Sequence, residues 1–142
     1  MEQRVSLITL GVSNIDTVAQ FYESLGWHRV QTPDNIVVYD LLGQAIGLYP
    51  LAALAEDIGV DPAALGKGAM TLGQNLRCKE EVDALMAQVE PAGGKVLKQP
   101  QEVFWGGYHG YFSDPEGHIW EIAYNPFSPL RGDDGAFRWG GY

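Results

Sequence analysis

Trp105-Gly106-Gly107-Tyr108-His109-Gly110-Tyr111-Phe112-Ser113-Asp114-Pro115-Glu116-Gly117-His118-Ile119-Trp120-Glu121-Ile122-Ala123-Tyr124 decides the fold of this chain. It reads as a strand, a tight turn and a second strand. In Asp114-Pro115-Glu116-Gly117, Pro at the second position presets φ and Gly at the fourth closes the turn without strain. In the strand that follows, alternation puts Ile119, Glu121 and Ala123 on one sheet face and Trp120, Ile122 and Tyr124 on the other. Glu121 is then a lone carboxylate within an apolar strand. It needs water, a cation or a hydrogen-bond donor.

Upstream of this hairpin, Ala69–Leu76 reads as a strand and Lys79-Glu80-Glu81 as the start of a helix, with two acids at its positive end. Val82, Leu85, Met86 and Val89 form the helix's buried stripe, and Pro91-Ala92-Gly93-Gly94 ends it. Lys95–Lys98, Phe104–Phe112 and His118–Tyr124 supply three further strands. The order is β-α-β-β-β.

The first half repeats that order. Val5–Val12 is an apolar strand, Asn14 an N-cap, and Ile15, Val18, Phe21, Tyr22 and Leu25 recur at helical spacing until Gly26. Arg29–Gln31 suits a short strand and Pro33-Asp34-Asn35 a turn, while Ile36–Leu41 and Ala45–Tyr49 suit a hairpin. The second helix is expected to be about one turn longer than the first. Between the halves, Leu51–Ile58 suits a short helix, and Asp61-Pro62 can cap and open another. The expected organisation is a single domain over 1–142, with module one at 4–50, a linker at 51–68, module two at 69–127 and a tail at 128–142. In the tail, Ala136–Trp139 is expected to add an edge strand.

A chain of 142 residues suits one domain that buries about 68–70% of its unfolded surface. The net charge of −9 argues against nucleic acid, whose phosphates need clustered Lys and Arg. Cys78 is the only cysteine, so an internal disulfide and a Cys-based zinc cage are excluded. No apolar run approaches about 18 residues, and no charged-then-apolar leader opens the chain. The expectation is a cytoplasmic protein with neither membrane nor nucleic acid as partner.

The paired modules, Phe21-Tyr22 followed by Leu25-Gly26-Trp27, and Trp105-Gly106-Gly107-Tyr108 leading to Asp114-Pro115-Glu116-Gly117-His118 and Trp120-Glu121 resemble the vicinal-oxygen-chelate superfamily. That superfamily comprises glyoxalase I, bleomycin-resistance proteins and extradiol dioxygenases. The resemblance covers about residues 4–127. It implies an α+β fold in which two β-α-β-β-β modules set curved mixed sheets around a cleft, and a homodimer. Side-chain sizes suit a cleft independently. Leu7, Thr9 and Gly11; Ala45, Gly47 and Tyr49; Thr71, Gly73 and Asn75; and Ile119, Glu121 and Ala123 leave mostly small or polar groups on one face.

In metal-dependent members, four strand positions supply His, Gln or Glu ligands. The resemblance places those positions at Leu7, Gly47, Thr71 and Glu121. Leu and Gly offer no ligand atom and a Thr hydroxyl is a poor one, so no metal and no other cofactor is expected. Neighbouring Ser6, Ile8, Ile46, Leu48, Met70 and Leu72 would not restore the set.

Three readings of Glu121 stand side by side: a relic meeting cleft water, a recogniser of a ligand's donor or cationic group, and a general base, which must take up and release a proton near the working pH. His109 shares a face with Tyr111 and is either a bland polar residue or the partner of Glu121 in a proton shuttle. The glycines after Trp105 suit either a bulge or the close approach of a ligand lying on the indole. His118 serves the turn, His28 follows a helix end, and Cys78 is bland.

The expected function is that of a metal-free binding protein for a small aromatic or cationic organic molecule. Glu121, Trp105, Tyr108, Thr9, Tyr49, Thr71 and Asn75 are its candidate contacts. A cation over aromatic faces gains about 0.5–2 kcal/mol, and bleomycin sequestration is one form this binding takes in the superfamily. The alternative is a glyoxalase-like lyase or isomerase, or a dioxygenase, with an unconventional metal or an acid-base site built on Glu121 and His109. A purely structural role is the third reading.

Overall fold

Asn14 starts the first helix as its residue type dictates: its side-chain oxygen accepts the Thr17 backbone N–H at 3.0 Å. The helix, α1 (Ile15–Ser24), ends where Gly26 turns left-handed at φ 96°. Trp27 N–H then bonds the Tyr22 carbonyl at 3.1 Å and Gly26 N–H the Glu23 carbonyl at 3.0 Å, a Schellman close. The Trp27 ring stacks on Tyr22 at 4.8 Å, sealing that end.

These details come from a computed structural model, which describes residues 1, 3–32, 35–67 and 69–139. The chain divides into two compact units, Met1–Gly68 and Ala69–Tyr142.

In the first unit, β1 (Leu7–Val12) runs parallel to β3 (Ala45–Pro50), and β2 (Val37–Asp40) pairs antiparallel on the other side of β3. Leu10, Val12, Ile46, Leu48 and Tyr39 form the sheet side of a core closed by Val18, Phe21 and Tyr22 of α1. The short strand expected at Arg29–Gln31 is reduced to one bridge, Val30 with Val38. Of the turn expected at Pro33-Asp34-Asn35, the first two residues lie outside the described ones, and Asn35 has φ 80°. Helix α2 spans Leu51–Ile58, the bounds expected for it, and Asp61 caps a single 3-10 turn at Pro62–Ala64.

In the second unit, β4 (Leu72–Leu76), β7 (Ile119–Tyr124), β6 (Tyr108–Ser113) and β5 (Lys95–Glu102) lie side by side in that order. The first pair is parallel and the other two are antiparallel. Helix α3 (Lys79–Val89) covers one face with Val82, Met86 and Val89, against Leu72, Phe112, Trp120 and Ile122. It has 11 residues against 10 in α1, so the extra turn expected of it is one residue.

Two expectations are corrected here. Phe104–Gly107 is not strand but the turn between β5 and β6, closed by Val103 N–H to the Gly107 carbonyl at 3.0 Å and Gly106 N–H to the Val103 carbonyl at 2.9 Å, with Gly106 at φ 93°. Ala136–Trp139 forms no strand among the described residues, although Arg131 N–H does bond the Ala136 carbonyl. The fold class is the expected α+β, with two mixed sheets and, among the described residues, three α-helices. No helix in that set is long and apolar enough to cross a membrane.

Candidate functional site around Glu121

The face of the second sheet away from α3 carries Gly73 and Asn75 on β4 and Glu121 and Ala123 on β7, with Gly73 directly beside Glu121 in the parallel register. A Cβ built on Gly73 would meet nothing within 4 Å. Here lies a cavity of about 650 Å³, walled by Trp105, Phe127, Phe137 and Trp139 and completed by Asn125 and Ser128. The wall depends on the tail folding back: Ser128 Oγ donates to the Trp139 carbonyl, and Arg131 pairs with Asp133 and Asp134. Glu121 is the one ionisable side chain among the described residues lining the cavity.

Its carboxylate is held in place. His109 Nδ1 lies 2.7 Å from Glu121 Oε1, and Tyr111 OH donates to the same oxygen at 3.0 Å. Both reach it because β6 pairs antiparallel with β7, Tyr111 opposite Glu121 and His109 opposite Ala123. Burial, followed by the bond to Glu121, pushes the Tyr111 phenol above its ordinary range and keeps it a donor. The Glu121 side chain keeps about a third of its exposure, and Oε2 carries no hydrogen bond among the described residues.

The other side of His109 meets Lys98, whose Nζ is 3.2 Å from Nε2 and 5.8 Å from the centre of the Tyr111 ring. Simple alternation along β5 would put Lys98 on the helix side with Val96. The register shifts between Val96 and Lys98, and again between Lys98 and Gln101, so Lys98 stands opposite Tyr111 instead. Pro100 within the strand and Gly110 across from it are the marks of this irregularity. A Cβ on Gly110 would come within 2.9 Å of the Lys98 carbonyl and 3.0 Å of Pro100 N. The bulge thus sits in β5, not at the glycines after Trp105.

Of the candidate contacts, Glu121, His109, Trp105 and Asn75 come together at this site. Tyr108 does not. Alternation turns it to the helix side, where its OH donates to Asp83 on α3 at 2.8 Å. That bond is the first cause of its raised pKa. Thr71 precedes β4 and is exposed, and Gly73 is the residue that stands beside Glu121.

Thr9 and Tyr49 belong to the first unit, registered with Gly47 and Gly11. At both glycines that face is occupied by neighbouring side chains. A Cβ on Gly11 would meet Leu51 Cδ1 at 2.8 Å and Leu54 Cδ2 at 3.1 Å, and one on Gly47 would meet Ile36 Cδ1 at 3.3 Å and Leu7 Cδ1 at 3.5 Å. His118 serves the turn as expected: Nδ1 lies 2.8 Å from buried Asp114 Oδ2, and Oδ1 of Asp114 accepts the Glu116 and His118 backbone N–H groups. His28 is exposed, and Cys78 is the half-buried N-cap of α3.

Lys98, Tyr111 and the tail aromatics were not foreseen as contacts. The bulge hides the first, while period-two Phe137 and Trp139 in a Gly-rich tail were the visible signal of the last. No group of three or more His, Cys, Asp or Glu converges among the described residues.

Several solved structures share this fold. A glyoxalase-related enzyme from Fulvimarina pelagi is 38% identical, with a TM-score of 0.89 over 99% of this chain and 100% of that one. A glyoxalase/bleomycin resistance protein/dioxygenase family enzyme from Burkholderia phytofirmans PsJN, 22% identical, has a TM-score of 0.74 over 84% of this chain and 96% of its own. A lactoylglutathione lyase from Agrobacterium tumefaciens, 20% identical, has a TM-score of 0.67 over 88% and 96%. At that identity the last two show likeness of fold alone. No protein of curated function matches. The family model of the glyoxalase/bleomycin resistance protein/dioxygenase superfamily matches residues 4–122, and the chain belongs to that superfamily.

Proposed function

We propose that the second half of this protein binds a small organic molecule with a flat aromatic group, held over Gly73 between the ring wall and Glu121, and that it does so without a divalent ion. The observation that carries the reading is the cavity of about 650 Å³, with four aromatic side chains and a single carboxylate in its lining. Ligand pockets of this size class, mostly apolar with a few fixed polar groups, take molecules of drug size or below.

The donor chemistry supports the metal-free part. Divalent sites need several ligands in fixed geometry. Of the four family positions, Leu7 and Gly47 have no donor atom, and Thr71 is an exposed residue outside its strand. The space beside Gly47 is taken by Ile36 and Leu7. Glu121 already spends one oxygen on His109 and Tyr111.

Calorimetric titration with a library of small aromatics tests the reading. Wild type should bind a subset, and Gly73→Phe, which fills the cavity from an open position, should lose that binding while melting at the wild-type temperature. Binding untouched by Gly73→Phe would place the ligand elsewhere. Stoichiometric metal in the purified protein, removed together with binding by a chelator, would overturn the metal-free part.

A further inference from the structure

The carboxylate facing the cavity is one end of a hydrogen-bonded chain that runs from Lys98 through His109 to Glu121. We propose that Lys98 and His109 set the cavity's ligand class, selecting a neutral aromatic hydrogen-bond donor such as a phenol or an N–H heteroarene over an aromatic cation. This inference rests on the cavity being a binding site.

The argument is one of donors and acceptors. An ammonium only donates and a carboxylate only accepts. The imidazole between them therefore presents Nδ1–H to Glu121 and its Nε2 lone pair to Lys98, which is the neutral ring in one tautomer. The chain then holds one positive and one negative charge and sums to zero. Oε1 of Glu121 receives two donors, from His109 and Tyr111, whereas Oε2 has none among the described residues and belongs to a group lining the cavity.

A neutral donor entering the cavity completes the acceptor set of Oε2 without adding charge. A cation gains from a carboxylate whose charge is already partnered and is opposed by Lys98, which lies behind the same two side chains. Aromatic rings line the wall for either ligand and add some attraction for a cation, so any preference for the neutral donor has to come from the charged chain behind Glu121.

Three probes with one ring system test this in the full chain by calorimetry: 2-naphthol, 2-methoxynaphthalene and the corresponding trimethylnaphthylammonium ion. In wild type, naphthol should bind about ten-fold or more tighter than its ether, as expected for a hydrogen bond to a charged acceptor. The cation should bind no tighter than the ether. Lys98→Met, which keeps the aliphatic stem, should strengthen cation binding by about five-fold or more. Nitrogen-15 histidine spectra of wild type should show the His109 proton on Nδ1, the donor that faces Glu121.

Equal affinity for all three probes, or a preference for the cation in wild type, would overturn this inference and leave the cavity reading standing. Failure of every probe to bind would overturn this inference, and the cavity reading would fall with it only if the whole aromatic library also failed to bind. The wild-type ranking decides the matter even if Lys98→Met does not fold.

Discussion

The two halves of the chain share the order of their common strands and the placement of α1 and α3, yet they use the sheet face away from those helices in opposite ways. In the first half, Leu51 and Leu54 of α2 crowd Gly11, while Ile36 and Leu7 crowd Gly47. In the second half, the position of Gly73 beside Glu121 is open, and a charged relay backs the carboxylate. Duplicated architecture thus does not duplicate a site. What separates a crowded face from an open one here is a short helix after β3 in one half and a bulge in β5 in the other.

One bulky substitution placed in each half tests that contrast at its sharpest. Gly11→Phe forces a ring into Leu51 and Leu54 and should cost about 1–3 kcal/mol, as over-packing does. Gly73→Phe enters open space and should change stability by no more than about 0.5 kcal/mol. Denaturant unfolding measures both, and equal losses would erase the distinction between the faces.

A smaller effect is expected from unplugging the first face. Ile36→Ala should cost about 1–2 kcal/mol, below the range for a fully buried isoleucine because Ile36 is half-buried. A loss near zero would mean that the Ile36 contact beside Gly47 contributes nothing.

The smallest effects are in proton binding, and they too divide by half. Tyr39 in the first core is pushed up to about 12, first by burial and then by the charge of Glu23. A phenol that holds its proton more tightly when folded contributes stability that is whole below its ordinary value of 10.0 and drains away as the pH rises towards about 12. Tyr111 is raised by burial and then by Glu121. Spectrophotometric titration of Glu121→Gln should therefore lower the Tyr111 transition and leave Tyr39 where it was. Movement of both tyrosines would contradict the assignment of causes.

Much of this is legible in the residues themselves. Asn14 and Gly26 bound α1, α2 matched residue for residue, and alternation along Ile119–Tyr124 put Glu121 on the face away from the helix. Each of these features is local, governed by capping chemistry or by a period of two. The illegible parts are those where distant segments meet. Lys98 reached His109 only through register shifts that no periodicity records, whereas alternation already set Tyr108 on the face opposite His109, where it meets Asp83. The tail aromatics joined the wall through the Ser128 hydroxyl on the Trp139 carbonyl and the Arg131 N–H on the Ala136 carbonyl, contacts that residue types alone do not announce.

Diffraction from crystals grown with 2-naphthol addresses the central claim most directly. The ring should lie over Gly73 against the aromatic wall, with its hydroxyl at hydrogen-bond distance, about 2.5–3.0 Å, from Glu121 Oε2. A naphthol seated on the Gly11 or Gly47 face of the first half, or a coordinated metal ion on Glu121, would contradict the account.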